Sequence, residues 1–282
     1  HEVRGVHAST IELIPHGIPE VPQTRASKAQ LGVHGKSVIL TFGLLSPDKG
    51  IEYVIEALPA IVAQHPEAVY VVLGATHPHV KERHGESYRR SLELLAHRLG
   101  VEANIIFHDR FVSLPELVEF LSAADIYVTP YLNLEQITSG TLAYAVGAGK
   151  AVISTPYRYA SELLAEGRGV LVPRRDSAEL ASAVSGLLGN PTELAALGTR
   201  AAAYGRDMLW PSVARRHVET MERALHEHAT VRRTAFEAKT LAKRPMALPE
   251  MNLGHLRAMT DSTGLLQHAA CSTPRYQDGY CI

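Results

Sequence analysis

The residue spacings that suggest chemistry are concentrated in three short loops. The first is Gly43-Leu44-Leu45-Ser46-Pro47-Asp48-Lys49-Gly50. A lysine at the mouth of a helix, one loop after a strand, can meet a phosphate as a compact charge, assisted by the free amides of the helix start. The same spacing suits a solvated lysine at an ordinary turn. The second loop is Glu135-Gln136-Ile137-Thr138-Ser139-Gly140-Thr141, which runs into Leu142-Ala143-Tyr144-Ala145-Val146-Gly147-Ala148. Gly140 lets the backbone approach a ligand closely, and amides opening a helix suit a diphosphate. A capped helix packed through small residues explains Ala143, Ala145, Gly147 and Ala148 equally well. It explains less well why Glu135, Gln136 and Thr138 occur together. The third loop, Gly74-Ala75-Thr76-His77-Pro78-His79, adds two imidazoles.

The elements around these loops give them a common address. From about Lys36 to Val172, short apolar runs alternate with amphipathic stretches. Strands are expected at Ser37–Gly43, Val69–Gly74, Asn104–Phe107, Ile126–Thr129, Ala151–Ser154 and Gly169–Val172. Helical periodicity covers Gly50–Gln64, Tyr88–Leu99, Leu114–Ser122 and Ser139–Ala148. Continuous Val/Ile/Leu strands separated by helices predict an α/β fold, a doubly wound parallel sheet covered on both faces. Beyond Pro173 the pattern turns helical through Ser177–Leu188, Pro191–Tyr204 and Trp210 to roughly Glu227. In such sheets ligands bind beyond the carboxyl ends of the strands, where all three loops fall. Arg232–Pro249 is polar and broken by prolines, as a linker would be.

Composition excludes several classes. The chain has 282 residues, 46% hydrophobic and 20% charged, which describes a globular protein with ample core. A net charge of -1 offers no basic field for nucleic acid. The two cysteines, Cys271 and Cys281, make neither a disulfide framework nor a zinc site, and the 15 histidines scatter. No apolar run reaches the roughly 20 residues of a transmembrane helix, no leader is evident, and a cytoplasmic location is expected. Both ends read as cuts in a longer protein. The first strand–helix turn lacks G-x-G-x-x-G, which argues against a dinucleotide-binding oxidoreductase.

Four segments in order resemble the C-terminal domain of the retaining glycosyltransferases of family 4, which adopt the GT-B fold. Ile11-Glu12-Leu13-Ile14-Pro15-His16-Gly17-Ile18-Pro19 resembles the family's inter-domain hinge. Gly43 to Gly50 resembles "GRLxxxKG", and Gln136 to Thr155 resembles "ExFGxxxxEAMAxGxPVIxT". Leu163 to Pro173 resembles the segment that follows. By this resemblance Lys49 contacts the donor diphosphate, and the amides of Ser139, Gly140 and Thr141 hold its distal phosphate beside Gly43. Gln136 matches the first glutamate of the family's pair, near the transferred sugar, with Glu135 adjacent. Arg110 and Phe111 fall where the nucleobase is read, and His77 lies close to the site. Tyr144 stands where a second glutamate usually binds the ribose, and Leu44 where an arginine usually stands. Arg89 or Arg90 could replace that cation, although a salt-bridged surface helix also explains them.

The resemblance implies transfer of a sugar, with retention, from a nucleotide-diphosphate donor to a glycan or other hydroxyl acceptor. It implies no cofactor beyond the donor and no metal. It divides the chain into a hinge at 1–20, a nucleotide-sugar-binding domain at 21–228, and a linker with the start of a further domain at 229–282. Within it, Leu253 to Cys281, with Thr260-Asp261-Ser262-Thr263-Gly264 and Asp278-Gly279-Tyr280-Cys281, resembles the opening of a helical toroid domain found behind such transferases. A preceding domain would supply the acceptor pocket, and this part alone would transfer nothing. The altered residues at 44, 136 and 144 keep a non-catalytic sugar-nucleotide or glycan binder open, and a GT-B phosphorylase is a further alternative.

Overall fold

The computed structural model describes residues 2–3, 6–7, 11–21 and 26–241. A short antiparallel pair, β1 (Glu2–Val3) and β2 (Val6–His7), is followed by α1 (Ala26–Gln30). Then come β3 (Ser37–Phe42), α2 (Ile51–Gln64), β4 (Ala68–Leu73), α3 (Pro78–His84), α4 (Ser87–Arg98) and β5 (Ile105–His108). The second half of the sheet comprises α5 (Leu114–Ala123), β6 (Ile126–Thr129), α6 (Gly140–Gly147), β7 (Ala151–Ser154), α7 (Arg158–Leu163) and β8 (Val170–Leu171). Helices α8 (Ser177–Leu188), α9 (Pro191–Gly205) and α10 (Trp210–Leu241) close the sequence of elements.

Strands β3 to β8 form one parallel sheet in the order β5-β4-β3-β6-β7-β8. This is the dinucleotide-fold order, in which the winding reverses between β3 and β6. The strands read as unbroken apolar runs because both faces are covered. Val38, Leu40 and Phe42 of β3 point with Val69, Val71 and Leu73 of β4 toward Leu117, Phe120, Leu142 and Val146 on α5 and α6. Ile39, Tyr70 and Val72 point the other way, toward Val54, Leu58, Leu92, Leu180 and Val184 on α2, α4 and α8. The expected doubly wound sheet is therefore present, with strand limits within a residue or two of the expectation.

The hinge-like segment is anchored. Ile18 is buried, its amide donates to Met208 O at 2.9 Å, and its carbonyl accepts from Trp210 N at 2.9 Å. A Cβ on Gly147 would fall 1.6 Å from Ile18 Cδ1, so α6 needs glycine there to receive this side chain. Two compact units divide after His217. The helix expected to end near Glu227 continues to Leu241, through Arg232 where a linker was expected. Neither proline nor glycine occurs between Pro211 and Pro245 to stop it. The remainder of the expected linker and the toroid-like segment lie outside the described residues.

Candidate functional site

The site lies at the reversal of winding, where β3 and β6 end side by side. After β3, Gly43 and the loop to Gly50 turn across the end of the sheet. Gly50 has φ +63°, and a Cβ there would lie 2.2 Å from Pro130 O, so glycine lets this loop press against the end of β6. Leu132 N donates to Asp48 O at 2.9 Å and fixes the contact. Lys49 is thereby carried over the ring of Tyr131, with Nζ 3.8 Å from the ring centroid.

Tyr131 is 1% exposed and joins the two halves of the site. Its ring stacks on Tyr157 at 5.4 Å between centroids and 16° between planes. Its carbonyl accepts from Thr155 Oγ1 at 2.5 Å, and its hydroxyl lies 2.9 Å from Thr141 Oγ1. Thr141 Oγ1 is in turn 3.1 Å from Ser139 Oγ, which caps α6 by accepting from Leu142 N at 3.3 Å. Beneath lies a buried layer of hydroxyls, with Tyr70 donating to Thr41 and Thr129 to Ser154. Burial pushes the Tyr157 and Tyr70 phenols well above their ordinary value. Both of these phenols stay protonated at neutral pH.

The amides of Gly140 and Thr141 have no partner among the described residues. They open α6, toward the side where Gly43 abuts Thr141; a Cβ on Gly43 would sit 3.2 Å from Thr141 Cγ2. Lys49, Gly43, Ser139, Gly140 and Thr141 are thus brought together. Lys49 has no carboxylate partner among the described residues. A cation, two open amides and a helix start form a corner suited to a diphosphate.

A shallow cleft of about 40 Å³ adjoins this corner, lined by Phe42, Gly43, Leu44, Gly74, Arg110 and Phe111 among others. Leu44 contributes an apolar wall where an arginine was the familiar residue. Phe111 is 58% exposed at the rim. Arg110 donates to Glu116 at 2.8 Å, and Glu116 also accepts from Ser113 in the capping box of α5. The Ser113 amide, then Arg110, hold the Glu116 carboxyl down to about 2.

The other expected residues are placed differently. Gln136 turns its amide onto Thr138 O at 2.8 Å, within its own loop. Glu135 is exposed and pairs with Arg158 at 2.6 Å. Tyr144 is 4% exposed, packed in the core with its ring centroid 6.0 Å from that of His16 in an edge-to-face arrangement, so the structure does not bring it to the cleft. His77 accepts from His79 N at 3.2 Å and caps α3. Its amide donates to Leu45 O at 2.8 Å, placing it beside the first loop. Arg89 meets Glu86, Glu93 and Asp109 within 3.4 Å, the salt-bridged arrangement. The Thr76 hydroxyl, then Lys81, hold Glu86 down to about 2.

Tyr131, Thr155, Tyr157 and Arg158 were missed in the sequence. Their signal was position: Pro130-Tyr131 directly follows β6, and Thr155 to Arg158 directly follow β7, both at carboxyl ends.

Comparison with known proteins bears on this arrangement. Residues 36–190 match the family described as glycosyl transferases group 1. The D-inositol 3-phosphate glycosyltransferase of Kineococcus radiotolerans is 26% identical over 82% of this chain and 56% of its own length. The C-terminal domain of a glycosyl transferase group 1 protein (LpcC) from Francisella tularensis superimposes with a TM-score of 0.57 at 21% identity. That match covers 66% of this chain and 92% of the other. Anabaena HepE, solved in complex with UDP-glucose, gives a TM-score of 0.65 at 21% identity, over 78% of this chain and 59% of its own. At such identities the two structures establish the fold alone. The chain spans about half the length of the curated relatives it matches.

Proposed function

The chain belongs to the group 1 glycosyl transferases, GT-B proteins of the family 4 type, and on that footing we propose that it is the donor-binding half of a retaining, nucleotide-sugar-dependent transferase. One observation carries the reading: a single ring, Tyr131, touches both the Lys49 ammonium and the Thr141 hydroxyl. Cation and helix start therefore face the same small volume. In this reading the donor diphosphate sits there and the base enters the cleft beside Gly43, Arg110 and Phe111. The sugar projects toward the loop holding Glu135 and Gln136. As the sugar leaves with oxocarbenium character, charge builds on the diphosphate, and Lys49 with the Gly140 and Thr141 amides stabilises it without reorganisation. A glycan or other hydroxyl acceptor would be held by the rest of the enzyme. No helix of the described residues is long and apolar enough to cross a membrane, and we place the enzyme in the cytoplasm.

The test is calorimetric titration of the chain with UDP-, GDP- and ADP-sugars. One nucleotide class is expected to bind, and Lys49→Ala is expected to weaken it roughly tenfold to hundredfold, as loss of a charged hydrogen-bonding partner does. Failure of the folded chain to bind any of them would discard the donor site. A second reading, binding without turnover, is favoured by the internal bond of Gln136 and the Glu135–Arg158 pair. Donor binding without transfer by the complete enzyme would select it.

A further inference from the structure

The cations around the site differ in how they are held. Arg89, Arg110 and Arg158 each rest on a carboxylate, at 2.6 to 3.4 Å. Lys49 instead rests on the face of an aromatic ring. The two arrangements have different consequences for an anionic ligand. A carboxylate fixes a cation but cancels its charge, and the ligand must break that pair to use it. A ring quadrupole attracts the ammonium and leaves its full charge in place, with the N–H groups away from the ring open. A lysine otherwise has a long flexible stem whose freedom is lost when it grips a phosphate.

We propose that Tyr131 is the positioning residue for Lys49, holding the ammonium over its ring as an uncompensated cation ready for the donor diphosphate; this rests on the donor-site reading above. The ring is well fitted to the task. It is clamped from below by Tyr157, from its carbonyl by Thr155 and from its hydroxyl by Thr141, so it has one place to stand. Two backbone ties, Leu132 N to Asp48 O and Gly50 against Pro130, bring the lysine loop to the same place. The Thr141 contact makes the ring a register between the cation and the open amides of α6.

The test replaces Tyr131 with phenylalanine and then with mono-, di- and trifluorophenylalanine. Fluorination drains the ring face stepwise at nearly constant size. Affinity for UDP, GDP or ADP, whichever the native chain binds, is measured alongside the melting temperature. Tyr131→Phe, which keeps the ring and loses the Thr141 contact, is the reference for the series, and the trifluoro variant is expected to bind about fivefold more weakly than phenylalanine. In a Lys49→Ala background the series is expected to be flat. A flat series with Lys49 present, or tighter binding on fluorination, would overturn the proposal while leaving the donor site standing. A fall at Tyr131→Phe as large as at Tyr131→Leu would also overturn it, by assigning the role to the hydroxyl. If the native chain binds none of the three nucleotides, the donor reading fails and this inference fails with it.

Discussion

At the amino edge of the sheet, Lys150 is buried just before β7 and its ammonium donates to Ser122 O at 3.1 Å. Nearby, Lys28 meets Asp125 at 2.6 Å and Lys36 O at 2.8 Å, and the same carboxylate oxygen accepts from Val38 N at 2.7 Å. These contacts tie one loop to the next. At the carboxyl edge, Lys49 sits over Tyr131 without a carboxylate, and two amides of α6 stay open. Both edges are made of strand ends and helix ends with the same orphan backbone groups to satisfy. One edge satisfies them internally. The other leaves donors open around a cation, and that asymmetry separates the scaffold from the binding edge.

The sharpest way to break the contrast is at the amino edge. Asp125→Ala leaves the Val38 amide, at the buried start of β3, without its acceptor and removes the Lys28 pair. A loss of about 3 kcal/mol is expected in denaturant melts, most of it from the orphaned amide. Asp125→Asn keeps an acceptor and should lose about 1 kcal/mol or less. Nucleotide affinity should stay within about twofold of native for both. Coupled losses of stability and binding would mean that the edges are not independent.

Lys150 gives a smaller effect with a signature in pH. Burial, the dominant cause, pulls its ammonium from 10.5 down to about 8 in the folded chain. Between those values the unfolded chain holds a proton that the folded chain has released, so stability rises with pH. From pH 8 to 9 the rise should be about 1 kcal/mol; above that, unfolded tyrosines ionise while the buried phenols do not, and the trend reverses. Lys150→Met should flatten that slope. An equally steep rise in the variant would show that another group causes it.

Much of this contrast was legible in the sequence, and its limits are instructive. The unbroken runs Val38-Ile39-Leu40 and Tyr70-Val71-Val72 announced a buried parallel sheet, because strands covered on both faces need no alternation. The loop after β3 and the start of α6 were picked out because each leads from the carboxyl end of a strand into a helix start, a position that suits a ligand as well as an ordinary capped turn. The floor of the site escaped. Tyr131 drew no notice in the sequence although it directly follows β6, and only the fold shows it pressed between Tyr157 and Lys49. Tyr144 escaped for the opposite reason: a residue one turn inside α6 reads as facing the ligand when compared by motif, whereas the approach of His16 and the core behind it make it a packing residue. The helix through Arg232 shows that polarity alone does not end a helix when no breaker is present.

Ser139 belongs to both edges' logic and gives the finest test. Its hydroxyl caps α6 like any structural N-cap, yet it stands beside the two open amides. Ser139→Ala should cost about 1 kcal/mol of stability. Ser139→Asp should recover that loss, because aspartate caps as well as serine and suits the positive end of a helix. The two variants should then part company over the ligand. Alanine leaves the open amides in place and should weaken diphosphate binding about twofold to threefold. Aspartate sets a negative charge where the distal phosphate is proposed to lie and should weaken it at least tenfold, with a loss that shrinks as salt is raised. A stable Ser139→Asp chain that binds nucleotide as tightly as native would mean that no anion approaches α6, and the carboxyl edge would then be as closed to phosphate as the amino edge.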